Sequence, residues 1–216
     1  VKSVRINGYV GERLDDCFRC RVMTQNVNEL VNVFRTQNEV HNLWGSEFWG
    51  KWVQAAIAFY RYNGNPTLYK MIKESEEKLM TFQLADGYIG NYDKAHQLKG
   101  WDVWGRKYST LGLLKWYELS RDKRALKAAS KLIDYTISQI GQGGIPIYET
   151  GNFMGMASSS ILEPVMLLYK YTKNRKYLDF AKYIVATDES ADGPRLIAKA
   201  DELVYSRFPV KGKENW

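Results

Sequence analysis

Cysteine, histidine and proline are scarce: the 216 residues hold two cysteines, two histidines and five prolines. Two cysteines cannot form the disulfide framework of a small secreted scaffold. Cys17-x-x-Cys20 has only His41 and His96 to draw on for a closed four-ligand zinc site, and these are not spaced as a pair. The thiols are therefore read as structural or incidental. With 17 glycines and no low-complexity tract, collagen-like and disordered chains are excluded. No run approaches the ~20 consecutive apolar residues that a bilayer span needs. The start, Val1 to Arg5, lacks the apolar core of a signal peptide, so neither a span nor a signal is read in these residues. Gly-x-Ser-x-Gly is missing too, and no histidine lies near Ser158-Ser159-Ser160 in sequence. Those serines read as close-packing or hydrogen-bonding residues rather than nucleophiles.

What remains is an ordinary globular composition, 45% hydrophobic and 14% aromatic, long enough to bury a sizeable core without disulfides. The formal charge of +7 and pI near 9.2 would suit an acidic partner if the cations clustered. They are spread along predicted helices instead, interspersed with acids in Lys70 to Lys78 and with Asp122 and apolar residues in Arg121 to Lys131, as on solvated helix faces. Nucleic acid is not an expected partner.

An internal repeat organises the chain. Tyr60-Arg-Tyr-Asn-Gly-Asn-Pro-Thr-Leu-Tyr69, Tyr117-Glu-Leu-Ser-Arg-Asp-Lys-Arg-Ala-Leu126 and Tyr169-Lys-Tyr-Thr-Lys-Asn-Arg-Lys-Tyr-Leu178 align without gaps. Each closes one apolar helical run and opens another at Asn65, Asp122 or Asn174, whose side-chain oxygens suit helix N-caps. Pro66 fits the first helical position, where its missing N–H costs nothing. Trp52, Ala55, Ala56, Phe59 and Tyr60 keep the helical period, as do Leu126, Ala129, Leu132, Ile133 and Ile137. The spacing predicts helix pairs at 48–63/66–84, 106–120/123–140 and 156–172/175–187, with single helices near 26–37 and 195–206. A short strand is expected from Val4 to Val10. Residues 1–25 then form an irregular or strand lead-in, 26–206 the helical hairpins and 207–216 a tail or linker.

The connections between hairpins, Gln37–Gly50, Ala85–Gly105 and Gly141–Gly155, are too long to be mere turns. In a stacked or ring-shaped array they emerge on one side and share a rim. They contain Trp44, Phe48, Trp49, Tyr88, Tyr92, Trp101, Trp104, Tyr148 and Phe153. Aromatic faces beside polar side chains suit sugars, whose C–H faces stack while their hydroxyls take directional hydrogen bonds. The same rings could equally fill the core. Asp86-Gly87-Tyr88 marks a turn, with Asp86 and Tyr88 projecting to either side of Gly87. Rim carboxylates are Glu47, Asp86, Asp93, Asp102 and Glu149; glycoside hydrolysis generally uses two, and solvated or capping roles stay open for each. Arg106 and Lys107 could hold hydroxyls or a carboxylate on a sugar, against the macrodipole at a helix start.

The segments Glu47-Phe-Trp-Gly-Lys-Trp52, Gln83-Leu-Ala-Asp-Gly-Tyr-Ile-Gly90, Trp101-Asp-Val-Trp-Gly-Arg-Lys-Tyr108, Gly155-Met-Ala-Ser-Ser-Ser-Ile-Leu-Glu-Pro164 and Tyr177-Leu-Asp-Phe-Ala181 carry a resemblance. In their order and spacing, from about Gly8 to Val185, they resemble the N-terminal half of the catalytic domain of glycoside hydrolase family 127, the β-L-arabinofuranosidase-like group. The resemblance implies an all-α fold, an (α/α)6 toroid with about half of its ring present here, in a mainly bacterial family acting on plant-type glycans in the periplasm or outside the cell. It also implies a retaining mechanism with a zinc-held cysteine nucleophile and a glutamate acid/base. These lie in a Glu-x-Cys segment and a later cysteine pair, neither of which Cys17-x-x-Cys20 matches. No catalytic residue, cofactor or metal ligand is therefore assigned in this chain; zinc belongs to the full-length protein the resemblance implies. Where the family's inner helix often begins with His, this chain reads Gly105-Arg106-Lys107-Tyr108, a departure that bears on L-arabinofuranose specificity.

With the rim reading, the resemblance makes Trp44, Trp49, Gln83, Asp86, Tyr88, Trp101, Trp104, Arg106, Lys107, Tyr108 and Ser158 the substrate-binding candidates, with an oligosaccharide or glycan as partner. A half-ring would leave apolar faces of its end hairpins in water, so a C-terminal half or a partner fragment is expected to complete it. Two other functions compete: an (α/α)6 sugar isomerase, epimerase or polysaccharide lyase, which needs a His or Tyr base, and a non-catalytic helical-repeat interaction module.

Overall fold

A computed structural model describes residues 4–141 and 143–200. Within them the elements run α1 (Gly8–Cys17), a π-helical turn (Phe18–Val22), α2 (Val27–Asn32), α3 (Glu47–Asn63), α4 (Pro66–Thr81), α5 (Asp102–Ser120), α6 (Lys123–Gln139), a 3-10 turn (Ile147–Glu149), α7 (Met156–Ser159), α8 (Leu162–Thr172) and α9 (Arg175–Asp188). Among the described residues, extended pairing is limited to single bridges, Glu39 with Tyr92 and Ile140 with Ile145. No helix there is long and apolar enough to cross a membrane.

The repeat has a physical basis at all three hairpin turns. Asn65, Asp122 and Asn174 accept from the amides of Leu68, Arg124 and Lys176 at 2.9, 2.9 and 3.2 Å, so each cap satisfies a donor that its helix leaves open. The residue closing each preceding helix, Gly64, Arg121 or Lys173, is left-handed, and its amide reaches the carbonyl of Tyr60, Tyr117 or Tyr169 at 2.8 Å. The repeated tyrosine thus marks the last helical carbonyl to be capped.

Helices α3, α5 and α7–α8 lie side by side, with α4, α6 and α9 behind them, giving the expected all-α array of hairpins in a helical toroid arrangement. Helix α5 is central and is buried nearly all round, from Val103 and Arg106 to Leu113, Leu114 and Trp116. Its approach to α3 depends on two glycines. A Cβ on Gly50 would lie 2.2 Å from the Tyr108 carbonyl oxygen, and one on Gly112 would lie 2.4 Å from the Trp49 ring. The missing side chains let the backbones close and give the indole a seat.

Four expectations are corrected. Val4–Val10 is not a strand: with no partner to pair, the chain instead enters α1 at Gly8, while the Ile6 amide donates to Tyr62 Oη. Residues 8–22, expected within an irregular lead-in, are helical and then π-wound. The helix near 26–37 stops at Asn32. The third inner helix, expected unbroken over 156–172, is interrupted at Ser160 and Ile161, four and three residues before Pro164, which cannot donate to the Ser160 carbonyl and whose ring would crowd it. The helix expected near 195–206 is present over its described part, 196–200, with 201–206 outside the described residues, and the 207–216 tail lies wholly outside them.

One core residue makes folding sensitive to pH. Glu76 on α4 is fully buried, and neither carboxyl oxygen has a hydrogen-bond partner. Burial, with the nearby Asp122 charge adding to it, raises its pKa well above the usual carboxylate range. The folded chain therefore keeps a proton that the unfolded chain releases near the ordinary glutamate value of about 4.3. The contribution is complete below that pH and is lost as pH climbs toward the folded pKa. Glu76→Gln should match the parent near pH 4 and exceed it by about 1–3 kcal/mol at pH 8 in urea unfolding. A parent whose stability shows no alkaline decline relative to Glu76→Gln would contradict this.

Candidate functional site

The three inter-hairpin connections meet at one end of the inner helices. The first joins the second through paired backbone bonds, Glu39 N–H to the Asn91 carbonyl at 2.9 Å and Asp93 N–H to the Glu39 carbonyl at 3.1 Å. Tyr92 Oη donates to the Leu43 carbonyl at 2.7 Å and accepts from the Trp101 amide at 3.1 Å. The third joins the second through Gly151 N–H to the Leu98 carbonyl at 2.7 Å. The shared rim expected from the repeat is present.

Beneath it lies a buried polar network. Arg106 and Asp102, both fully enclosed, pair at 2.6 Å one helical turn apart. The second Asp102 oxygen accepts from Tyr88 Oη at 2.7 Å, and the Leu98 amide adds a bond of 2.9 Å to the oxygen shared with Arg106. Arg106 also donates to Gln139 at 2.7 Å and Thr136 at 3.2 Å on α6, with its guanidinium carbon 4.9 Å from the Tyr88 ring centre and 5.3 Å from that of Tyr135. Burial first, and then the Asp102 charge, raise the Tyr88 phenol well above its ordinary pKa, so it stays a donor.

Above this base a band of rings faces outward. Trp44 and Trp101 lie 6.3 Å apart between centres, Trp101 and Trp104 5.8 Å, Trp101 and Phe153 6.0 Å, and Trp104 and Tyr108 5.2 Å, all nearly edge to face. Trp44 and Phe153 are 49% and 63% exposed, well above what core rings show. One ring comes from the first connection, two indoles flank the start of α5, Tyr108 follows a turn later on α5, and one ring comes from the third connection.

The candidate residues divide by burial and partner. Trp44, Trp101, Trp104, Lys107 and Tyr108 form the band. Trp49, Tyr88, Arg106 and Ser158 are enclosed, so none of the four presents its side chain to the open rim. Trp49 packs edge-on against Phe34, with ring centres 6.5 Å apart. Gln83 donates to the carbonyls of Gly87 and Ala128, both at 2.9 Å, bracing the second connection against α6. Asp86 is exposed and paired with Lys94 at 3.0 Å. Partial burial would raise its pKa, but the Tyr88 amide and Lys94 outweigh that and hold the carboxyl below its usual value. Of the rim carboxylates, Asp102 is the buried partner of Arg106, Asp93 pairs with His96 at 3.0 Å, and Glu149 is exposed. Glu47 touches the band: one oxygen accepts from Lys51 at 2.8 Å and the other from the Trp104 indole N–H.

Lys51 and Glu163 complete the band and were not singled out in the sequence. The signal for Lys51 is its i,i+4 spacing from Glu47; that for Glu163 is its place one residue before the helix-breaking Pro164. Lys51 Nζ lies 5.0 Å from the Tyr108 ring centre and 5.8 Å from that of Trp104, and Lys107 Nζ lies 4.7 Å from Trp104 and 5.0 Å from Tyr108. Burial lowers the Lys107 pKa; Glu163 opposes this and the Lys51 charge reinforces it.

A zinc site does not fit the residues described. Cys17 and Cys20 are exposed free thiols, and no three His, Cys, Asp or Glu among the described residues are grouped to hold a metal ion.

The family profile described as "Beta-L-arabinofuranosidase, GH127 catalytic domain" matches residues 9–205. Among solved structures, a GH127 β-L-arabinofuranosidase from Geobacillus stearothermophilus T6 superposes with a TM-score of 0.62 at 17% identity, over 88% of this chain and 32% of that one. A GH127 β-arabinofuranosidase gives 0.64 at 16% identity over 88% and 34%, and a protein described as a glycoside hydrolase gives 0.54 at 20% identity over 88% and 28%. These likenesses establish the fold, and the chain spans about a third of the length of each. No curated protein matches the chain significantly.

Asp102→Ala, which strands the enclosed Arg106 charge, should cost about 3–5 kcal/mol in urea unfolding. Hydrogen exchange should accelerate in 86–101, because Tyr88 and the Leu98 amide lose their acceptor. A loss under about 1 kcal/mol with unchanged exchange would show that the pair does not hold the second connection.

Proposed function

Because this chain belongs to glycoside hydrolase family 127, we propose that it supplies the sugar-facing wall of a hydrolase acting on plant-type glycans with terminal β-L-arabinofuranose. The carrying observation is the unbroken ring contact from Trp44 through Trp101 to Trp104, Tyr108 and Phe153, assembled from all three connections. On this reading Trp101, which touches Trp44, Trp104 and Phe153, offers the central stacking face for the apolar side of a sugar ring. Glu47 and Lys51 fix the Trp104 edge and offer an acceptor and a donor to hydroxyls at the margin. On this reading the groups that break the glycosidic bond lie outside these residues, in the Glu-x-Cys segment and later cysteine pair expected of the family, on a longer polypeptide or a completing fragment. The wall binds and orients the sugar and excludes water from its stacked face.

Tryptophan fluorescence titrated with a β-L-arabinofuranosyl oligosaccharide tests this. Binding should change the emission, and Trp101→Ala should weaken it about tenfold, the equivalent of ~1.4 kcal/mol of lost stacking. Trp116→Phe, a change at a buried indole beside Tyr69, serves as the control. Equal affinity in the parent and in Trp101→Ala would remove the band from sugar binding.

A further inference from the structure

Resting on the sugar-wall reading, we propose that the Lys51–Lys107 corner of the band is a carboxylate subsite, selecting glycans in which a uronic acid neighbours the arabinose. Both ammonium groups sit over the same two rings, Trp104 and Tyr108, at centroid distances from 4.7 to 5.8 Å. They are not equally neutralised. Lys51 holds Glu47 at 2.8 Å, and the other Glu47 oxygen is taken by the Trp104 indole. The nearest carboxylate to Lys107 is Glu163, at 4.0 Å and with 60% of its side chain exposed, which makes a loose and well-solvated pair.

Lys107 itself is only 13% exposed at the side chain, so it is partly desolvated while its ammonium has gained no close anion. The downward pull on its pKa from burial and from Lys51 reports the same deficit. Ring faces offset part of it through the cation–π attraction. Two cations that share one ring pair, with three sides accounted for by Glu47, Glu163 and the aromatics, leave the outward side for a negative ligand. A neutral hydroxyl would leave that deficit in place, whereas a sugar carboxylate stacked on Trp101 and reaching toward Trp104 would remove it. The same anion would be attracted by Lys51, so the corner distinguishes a uronate from a neutral sugar by charge as well as by fit.

The test compares two ligands on the full polypeptide by calorimetry: a uronate-bearing arabino-oligosaccharide, and the same oligosaccharide after carbodiimide and borohydride reduction of its carboxyl to a neutral CH₂OH. The parent should bind the charged form about tenfold more tightly at low salt, with the preference shrinking as salt screens it. In Lys107→Gln the ratio should fall to near one, and Lys51→Gln should reduce it as well; thermal midpoints establish that both variants are folded. Equal affinity of the parent for both ligands overturns the carboxylate subsite while the sugar wall stands. An unchanged preference in both lysine variants overturns the assignment to this corner. Binding of neither ligand removes the wall itself, and this inference with it.

Discussion

The enclosed Arg106–Asp102 pair is the constraint on which the rim depends. A guanidinium in the first turns of α5 faces the positive end of the helix dipole, an unfavourable place for a cation. Asp102, one turn earlier and at the helix start, answers both the dipole and the charge. The Arg106 donors also reach Gln139 and Thr136 on α6, while the Asp102 oxygens accept from Tyr88 and the Leu98 amide of the second connection. Helix α5 can bury its N-terminal turns only when that connection has closed over α6. These bonds all depend on the same closed arrangement, so the pair is worth more in fixing one loop conformation than in net stability.

From that closed base the aromatic band follows. With Tyr92 bonded both to the first connection and to the Trp101 amide, the two indoles at the α5 start have little freedom to turn inward. Trp44 and Phe153 reach them from connections tied down by backbone bonds. A face of edge-to-face rings over a hydrogen-bonded polar network presents stacking surface already assembled, and a preformed site loses less entropy on binding. The two lysines lie at the edge of this face, where ring quadrupoles stabilise them without hiding the ammonium groups from a ligand.

Much of the helical array was legible because its signals act over a few residues. The tyrosine-led repeat, the capping Asn65, Asp122 and Asn174, and Pro66 at a first helical position marked three hairpins whose turns lie at the expected residues. Where the reading failed, a competing local rule was passed over. Pro164, within a run that keeps helical period, divides α7 from α8. Val4–Val10 is expected as a strand, yet a strand needs a neighbour, and among the described residues none pairs with it. The common rim was legible too, since equivalent connections in a hairpin array emerge on one side. Which of its residues face the open side was not.

Trp44 and Trp49 show the division most clearly. Both fall within 37–50, which the sequence reads as one connection, although Trp44 precedes α3 and Trp49 lies in its first turn. Trp49 is wholly enclosed because Gly112, far along the chain, leaves a hollow for its ring and Phe34 closes the edge; Trp44 meets Trp101 at the rim and stays half exposed. Arg106 and Lys107 are adjacent, yet successive helical residues point about 100° apart, so one is sealed against α6 and the other stands at the ring band. The sequence alone determined the helical period, the hairpin turns, the family and the stock of aromatic and basic residues at the rim. Only the tertiary structure decided which of them are buried and which lysine lacks a close anion, because burial and charge pairing are set by groups brought together from distant parts of the chain.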